Sequence, residues 1–135
     1  MQTPQPFLMF SGANYARVQE AVDLYLQAFP EASIQSISYD HTASESKGKK
    51  VVSMVVLKIK ELEIRMIDSA YDHQFNFTPS QSFFITCDSL EEFERLHYHL
   101  SEDGKELMAP GSYGFSARFT WFNDKFGVSW QINLP

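Results

Sequence analysis

One order of elements is written twice along this chain, and few folds accommodate that. Residues 6–10, PFLMF, read as a short apolar strand. The next segment sets Val18, Ala21, Val22, Tyr25 and Phe29 on one stripe at helical spacing, with Asn14 as its cap and Pro30 as its stop. Strands follow at 34–39, 51–59 and 62–68, the middle one, VVSMVVLKI, dense in β-branched residues, and the polar residues 41–50 read as a loop. Then the order restarts. SFFITC, residues 82–87, reads as a strand, and Ser89 with Glu92 forms a capping box for a helix. Leu90, Phe93, Leu96 and Leu100 make its apolar stripe, Gly104 its stop, and 105–108, 115–123 and 128–134 three more strands. The chain therefore reads as one α+β domain over 1–135, built of module one (6–68), a linker (69–81) and module two (82–135). A unit this short hardly buries a sheet face alone, so the modules are expected to pair, within a chain or across a homodimer.

A chain of 135 residues can bury about two-thirds of its unfolded surface without disulfides. The net charge of −6 argues against nucleic acid as a partner, because phosphate neutralisation requires a basic face. Lys47, Lys49 and Lys50 form the one basic cluster and read as a solvated loop. Cys87 is the single cysteine, which suits a reducing compartment. The opening MQTPQPFLMF has no basic n-region and too short an apolar run for a signal peptide or a membrane span. The expectation is a cytoplasmic protein without a membrane partner.

The closing stretch DKFGVSWQINLP alternates. Phe126, Val128, Trp130, Ile132 and Leu134 fall on one side, Gly127, Ser129, Gln131 and Asn133 on the other. Such a polar column faces either bulk water or a pocket. The duplicated βαβββ pattern resembles the vicinal oxygen chelate superfamily of glyoxalase I, extradiol dioxygenases and bleomycin-resistance proteins. PFLMFSGANYARVQEAVDLYLQAFP, MIDS, FNFTPSQSFFITCDSLEEFERL and DKFGVSWQINLP resemble the PhnB-like family within it, which also carries the label demethylubiquinone-methyltransferase-like. The chain has no glycine-rich strand-to-helix turn of the sort that cradles a dinucleotide or S-adenosylmethionine, so the residues lend that label no support.

The resemblance implies a half-open eight-stranded cup with helices outside and a small organic molecule as partner. Metal-binding relatives place histidine or glutamate at four inward positions, which align here with Pro6, Arg65, Ser82 and Gln131. Proline has no ligand atom and a guanidinium repels a cation, so no metal and no other cofactor is expected. Glu63 shares the face of Arg65 and would add one carboxylate. His97 and His99 lie about 200° apart around a helix and cannot chelate one ion; His41 and His73 fall in loops, and all four read as surface side chains. The candidate cup-facing residues are Glu63, Arg65, Ser82, Phe84, Ser129 and Gln131, with Thr86, Leu8 and Phe10 beside them. Arg65 would clamp an anionic or carbonyl oxygen, or else pair with Glu63 on a solvated face. Asp68 near Asp72 and His73 raises the option of an Asp–His general base. Cys87 falls on the helix-facing side, where a thiol is inert. Phe75, Phe77, Tyr113, Phe115, Trp121 and Phe122 read as aromatics near the rim or at an interface, most of them as core or dimer contact and not as a substrate platform. Three functions fit: a metal-free binding protein of uncharacterised activity, a metal-dependent lyase, isomerase or dioxygenase, or a protein sequestering a drug or metabolite.

Overall fold

The computed structural model describes residues 1–135, which form two compact units, Met1–Asn76 and Phe77–Pro135. The first runs β1 (Phe7–Phe10), a 3-10 turn (Gly12–Asn14), α1 (Val18–Ala28), β2 (Ser33–Tyr39), α2 (His41–Lys47), β3 (Val52–Ile59) and β4 (Leu62–Asp68). The second runs β5 (Phe83–Thr86), α3 (Leu90–Ser101), β6 (Lys105–Gly111), β7 (Arg118–Asn123) and β8 (Ser129–Leu134). Each unit holds one four-stranded mixed sheet, ordered β1-β4-β3-β2 and β5-β8-β7-β6, with only the first pair parallel. The duplicated order is thus a real duplication of topology.

In unit 1 the apolar stripe of α1 buries Val18, Ala21, Val22 and Tyr25. Register puts Leu8, Phe10, Ile64, Met66, Val55 and Leu57 on one face of the sheet. Asp68, paired with Phe10, reaches from that face to α1: its Oδ1 accepts from the backbone N–H groups of Arg17 (3.1 Å) and Val18 (3.3 Å). Its Oδ2 accepts from Val52 N at 2.9 Å. Asp68 therefore caps α1, whereas Asn14 sits buried in the 3-10 turn and its Oδ1 accepts from the Arg17 side chain. The polar segment expected as a loop contains α2, where Asp40 accepts from Ala43 N (3.0 Å) and Gly48 closes the helix at φ +70.

In unit 2 the capping box is present: Ser89 Oγ accepts from Glu92 N at 3.1 Å, and Glu92 Oε1 accepts from Asp88 N at 2.9 Å. Phe93, Leu96 and Leu100 are buried, each removal from water stabilising by about 2 kcal/mol, but Leu90 is 48% exposed and leaves the stripe. The left-handed residue after α3 is Asp103 (φ +59), not Gly104. Gly104 is small for another reason: a Cβ there would meet the Asn123 carbonyl oxygen at 2.1 Å. Trp130, Ile132 and Phe122 occupy the α3 side of the sheet, so Phe122 is core and not rim, as its edge-on contact with His97 (5.8 Å) confirms. Cys87 is buried and its thiol is pushed up to about 12 by burial, reinforced by Glu92 and Asp88.

Candidate functional site

Residues paired across a ladder point to the same face. In unit 1, Phe7 pairs with Arg65, Arg65 with Val56, and Glu63 with Lys58, which places these side chains on the face away from α1. Leu8 and Phe10 lie on the α1 side instead, correcting the expectation that they line a cup. In unit 2, Phe84 pairs with Gln131 and Gln131 with Trp121, on the face away from α3. Ser82, Thr86, Ser129 and Asn133 share it by alternation.

The two faces carry the same device. Arg65 Nε donates to Gln5 Oε1, and Gln131 Nε2 donates to Ser82 Oγ at 2.7 Å. In each unit a polar residue on the strand parallel to the first reaches back to one two residues ahead of an exposed phenylalanine, Phe7 (48%) or Phe84 (58%). QPFLMF thus corresponds to SFFITC with Gln5 opposite Ser82, Glu63 opposite Ser129 and Arg65 opposite Gln131. Pro6, the position that the resemblance aligns with Ser82, lies one residue from Gln5 and so on the other face of the strand. Matching Phe7 with Phe84 is the signal that would have found Gln5.

The candidate residues differ in availability. Ser129 is 2% exposed and its Oγ accepts from Trp121 Nε1 (2.8 Å), so it braces the indole. Asn123, the partner of Ser129 in the ladder, buries its Oδ1 with no hydrogen-bond donor, an unmet acceptor that sequence reading missed. Phe119, also missed, collects Phe84 (6.4 Å), Phe115 (5.0 Å) and Tyr113 (6.1 Å) between ring centroids. Arg65 forms no ion pair with Glu63, whereas Arg17 pairs with Glu20 and Arg95 with Glu92.

The alternative chemical centres are committed elsewhere. Burial pushes the Asp68 carboxyl above its ordinary value, and the backbone N–H groups of Val52, Val18, Arg17 and Ala16 pull it part of the way back. His73 bonds Ser69 Oγ (3.0 Å) and stacks on Phe75 (4.9 Å), so no Asp–His pair forms. His97 is half-buried, not a free surface group, and burial lowers its affinity for a proton. A cleft of about 620 Å³ beside Phe93, His97, Pro110 and Arg118 lies on the α3 side, away from Gln131.

For a divalent ion the donors are wrong. The positions that the resemblance assigns to ligands hold Arg65, Ser82 and Gln131, with Pro6 or its neighbour Gln5 as the fourth, and no group of three or more His, Cys, Asp or Glu side chains is placed to hold an ion. These residues do not fit the metal.

Two βαβββ units, each with a mixed sheet whose helix-free face carries a paired polar couple, define a protein of the glyoxalase/bleomycin-resistance fold. More narrowly, the chain belongs to the family described as 3-demethylubiquinone-9 3-methyltransferase, whose model matches residues 2–133. It is 38% identical to a PhnB protein of Bacillus cereus that is provisionally described by the same activity, with a TM-score of 0.87 over 99% of this chain and 100% of that one. Protein PA1353 of Pseudomonas aeruginosa (24% identity, TM-score 0.81, covering 99% and 98%) shares the fold. So does the fosfomycin resistance protein FosX of Listeria monocytogenes (14%, 0.64, covering 98% and 91%). No curated protein matches the chain. No helix is long and apolar enough to cross a membrane.

Proposed function

We propose that this PhnB-like protein binds a small organic molecule on its helix-free sheet faces, without the metal ion of its superfamily, as a cytoplasmic homodimer. The observation that carries this reading is the repeated couple, Gln5–Arg65 and Ser82–Gln131, each beside an exposed phenylalanine. Apolar walls with a few oriented polar groups are what a small-molecule site requires. Methyl transfer draws no support from the helix N-termini, where Asp68 accepts from Arg17 and Val18 at α1 and Ser89 accepts from Glu92 at α3. A binding protein and an enzyme would use the same seat, and consumption of the ligand separates them.

The test is a fragment screen by NMR on isotope-labelled protein, run with elemental analysis after dialysis against Zn²⁺, Ni²⁺ and Mn²⁺. The expected result is side-chain amide shifts at Gln5 and Gln131 on fragment binding, with a rise in melting temperature and no stoichiometric ion retained. Fragments that shift only residues of the α3-side cleft, or an ion retained one per chain, would overturn the reading.

A further inference from the structure

We infer that Arg65 takes over the role of the missing cation, so that the unit 1 face selects small monoanionic acids whose carboxylate adjoins a flat apolar group. This rests on the reading above and names the ligand class for the same seat. Arg65 is half-buried, and its one hydrogen bond from the guanidinium goes through Nε to Gln5. That bond fixes the plane of the fork while the Nη–H donors keep no protein partner, and no carboxylate forms an ion pair with it. A guanidinium never loses its charge, so a part-buried, unpaired one is held ready for an external anion.

The surroundings define what that anion looks like. Phe7 and Val56 flank Arg65 across the ladder on either side. These apolar neighbours strengthen the charge interaction by excluding water, and Phe7 offers its exposed ring to a flat substituent. A planar fork matches a carboxylate with two parallel hydrogen bonds, which a neutral carboxamide cannot reproduce. Lys58 stands opposite Glu63 on the same face and offsets it, so Arg65 is left as the one uncompensated charge there, and the net charge of −6 opposes a second negative charge on the ligand, hence a monoanion. In unit 2 the equivalent position is neutral Gln131, which gives one amide hydrogen to Ser82. The device is duplicated, but the charge is on one side only.

The experiment titrates the labelled full chain at neutral pH with matched aryl carboxylates and carboxamides, headed by benzoate and benzamide. The same titrations are run on Arg65→Gln and Arg65→Lys. Because Arg65 supports one hydrogen bond, to Gln5, and no ion pair, both variants should keep the wild-type amide spectrum outside the neighbourhood of Gln5 and Arg65, which is checked first. Benzoate should shift the Arg65 Nε–H resonance and bind the wild type about tenfold more tightly than benzamide does, an advantage lost in Arg65→Gln and partly kept in Arg65→Lys. Equal binding of acid and amide, or of benzoate to wild type and Arg65→Gln, overturns the inference. If amides perturb Gln131 and Ser82 while Arg65 stays silent, only the inference falls. If no compound of the panel perturbs Gln5, Ser82 or Gln131, the proposed seat falls with it.

Discussion

Asp124 shows how much one buried carboxylate can organise. Its Oδ1 accepts from Phe126 N and Val128 N at 3.0 Å each, and its Oδ2 from Trp130 Nε1 at 3.0 Å. Gly127 (φ +94) lets the turn close, its N–H donating to the Asp124 carbonyl. DKFGVSW, the stretch carrying the family resemblance best, is therefore a folding device that anchors the largest core side chain, Trp130. Asp124→Asn keeps an oxygen for the two backbone donors but turns an amide N–H₂ toward the indole N–H. It should lose about 2 kcal/mol, and Asp124→Ala about 3 kcal/mol or more, in urea unfolding followed by tryptophan fluorescence. At this scale the sequence was legible where periodicity decides which residues share a face, as Glu63 does with Arg65 and Ser129 with Gln131. It failed at Pro6, because a slip of one residue in strand alignment exchanges the two faces, and it could not show that Ser129 is spent on Trp121.

Between elements, Asp68 joins three segments that lie far apart in sequence. One carboxylate holds the start of α1 through Arg17 and Val18 and the start of β3 through Val52. Removing it should loosen both ends together, not α1 alone. In Asp68→Ala, amide hydrogen exchange at Arg17, Val18 and Val52 should accelerate by a common factor, while β7 and β8 amides are unaffected. Acceleration confined to α1 would show that the Val52 bond contributes nothing. No reading of spacing could find this cap, since the N-cap position holds Arg17, which makes no side-chain cap bond, and the working cap comes from residue 68. The same limit explains α2: HTASESK has no apolar stripe to reveal a helix, and it is held by the Asp40 cap and the Gly48 turn. Gly104 was read as a helix stop from its place in the chain, when what fixes it is the Asn123 carbonyl pressing from β7.

Duplication at the level of the whole chain preserved the scaffold and let the surfaces diverge. Both units keep the first-strand-to-fourth-strand parallel pair and the polar couple on it, so the duplication was readable from element order, whereas the strand order was not. What differs is chemistry: unit 1 presents a guanidinium, and unit 2 an aromatic group in which Phe84, Tyr113 (41% exposed) and Phe115 (63% exposed) gather round Phe119. Exposed aromatic clusters of this kind on a small protein generally meet a partner. Tyr113 and Phe115 lie in the loop between β6 and β7 and touch Phe119, and of the cluster only Phe84 borders Gln131, so a second copy of the chain could cover the loop while leaving Ser82 and Gln131 open. Light scattering should then give twice the 15.5 kDa chain mass at micromolar concentration. Tyr113→Ser with Phe115→Ser should move the equilibrium toward the monomer while the Gln131 side-chain amide resonance stays in place. A wild-type protein that remains monomeric as concentration rises, or a dimer that the double variant leaves intact, would assign the cluster to something other than self-association.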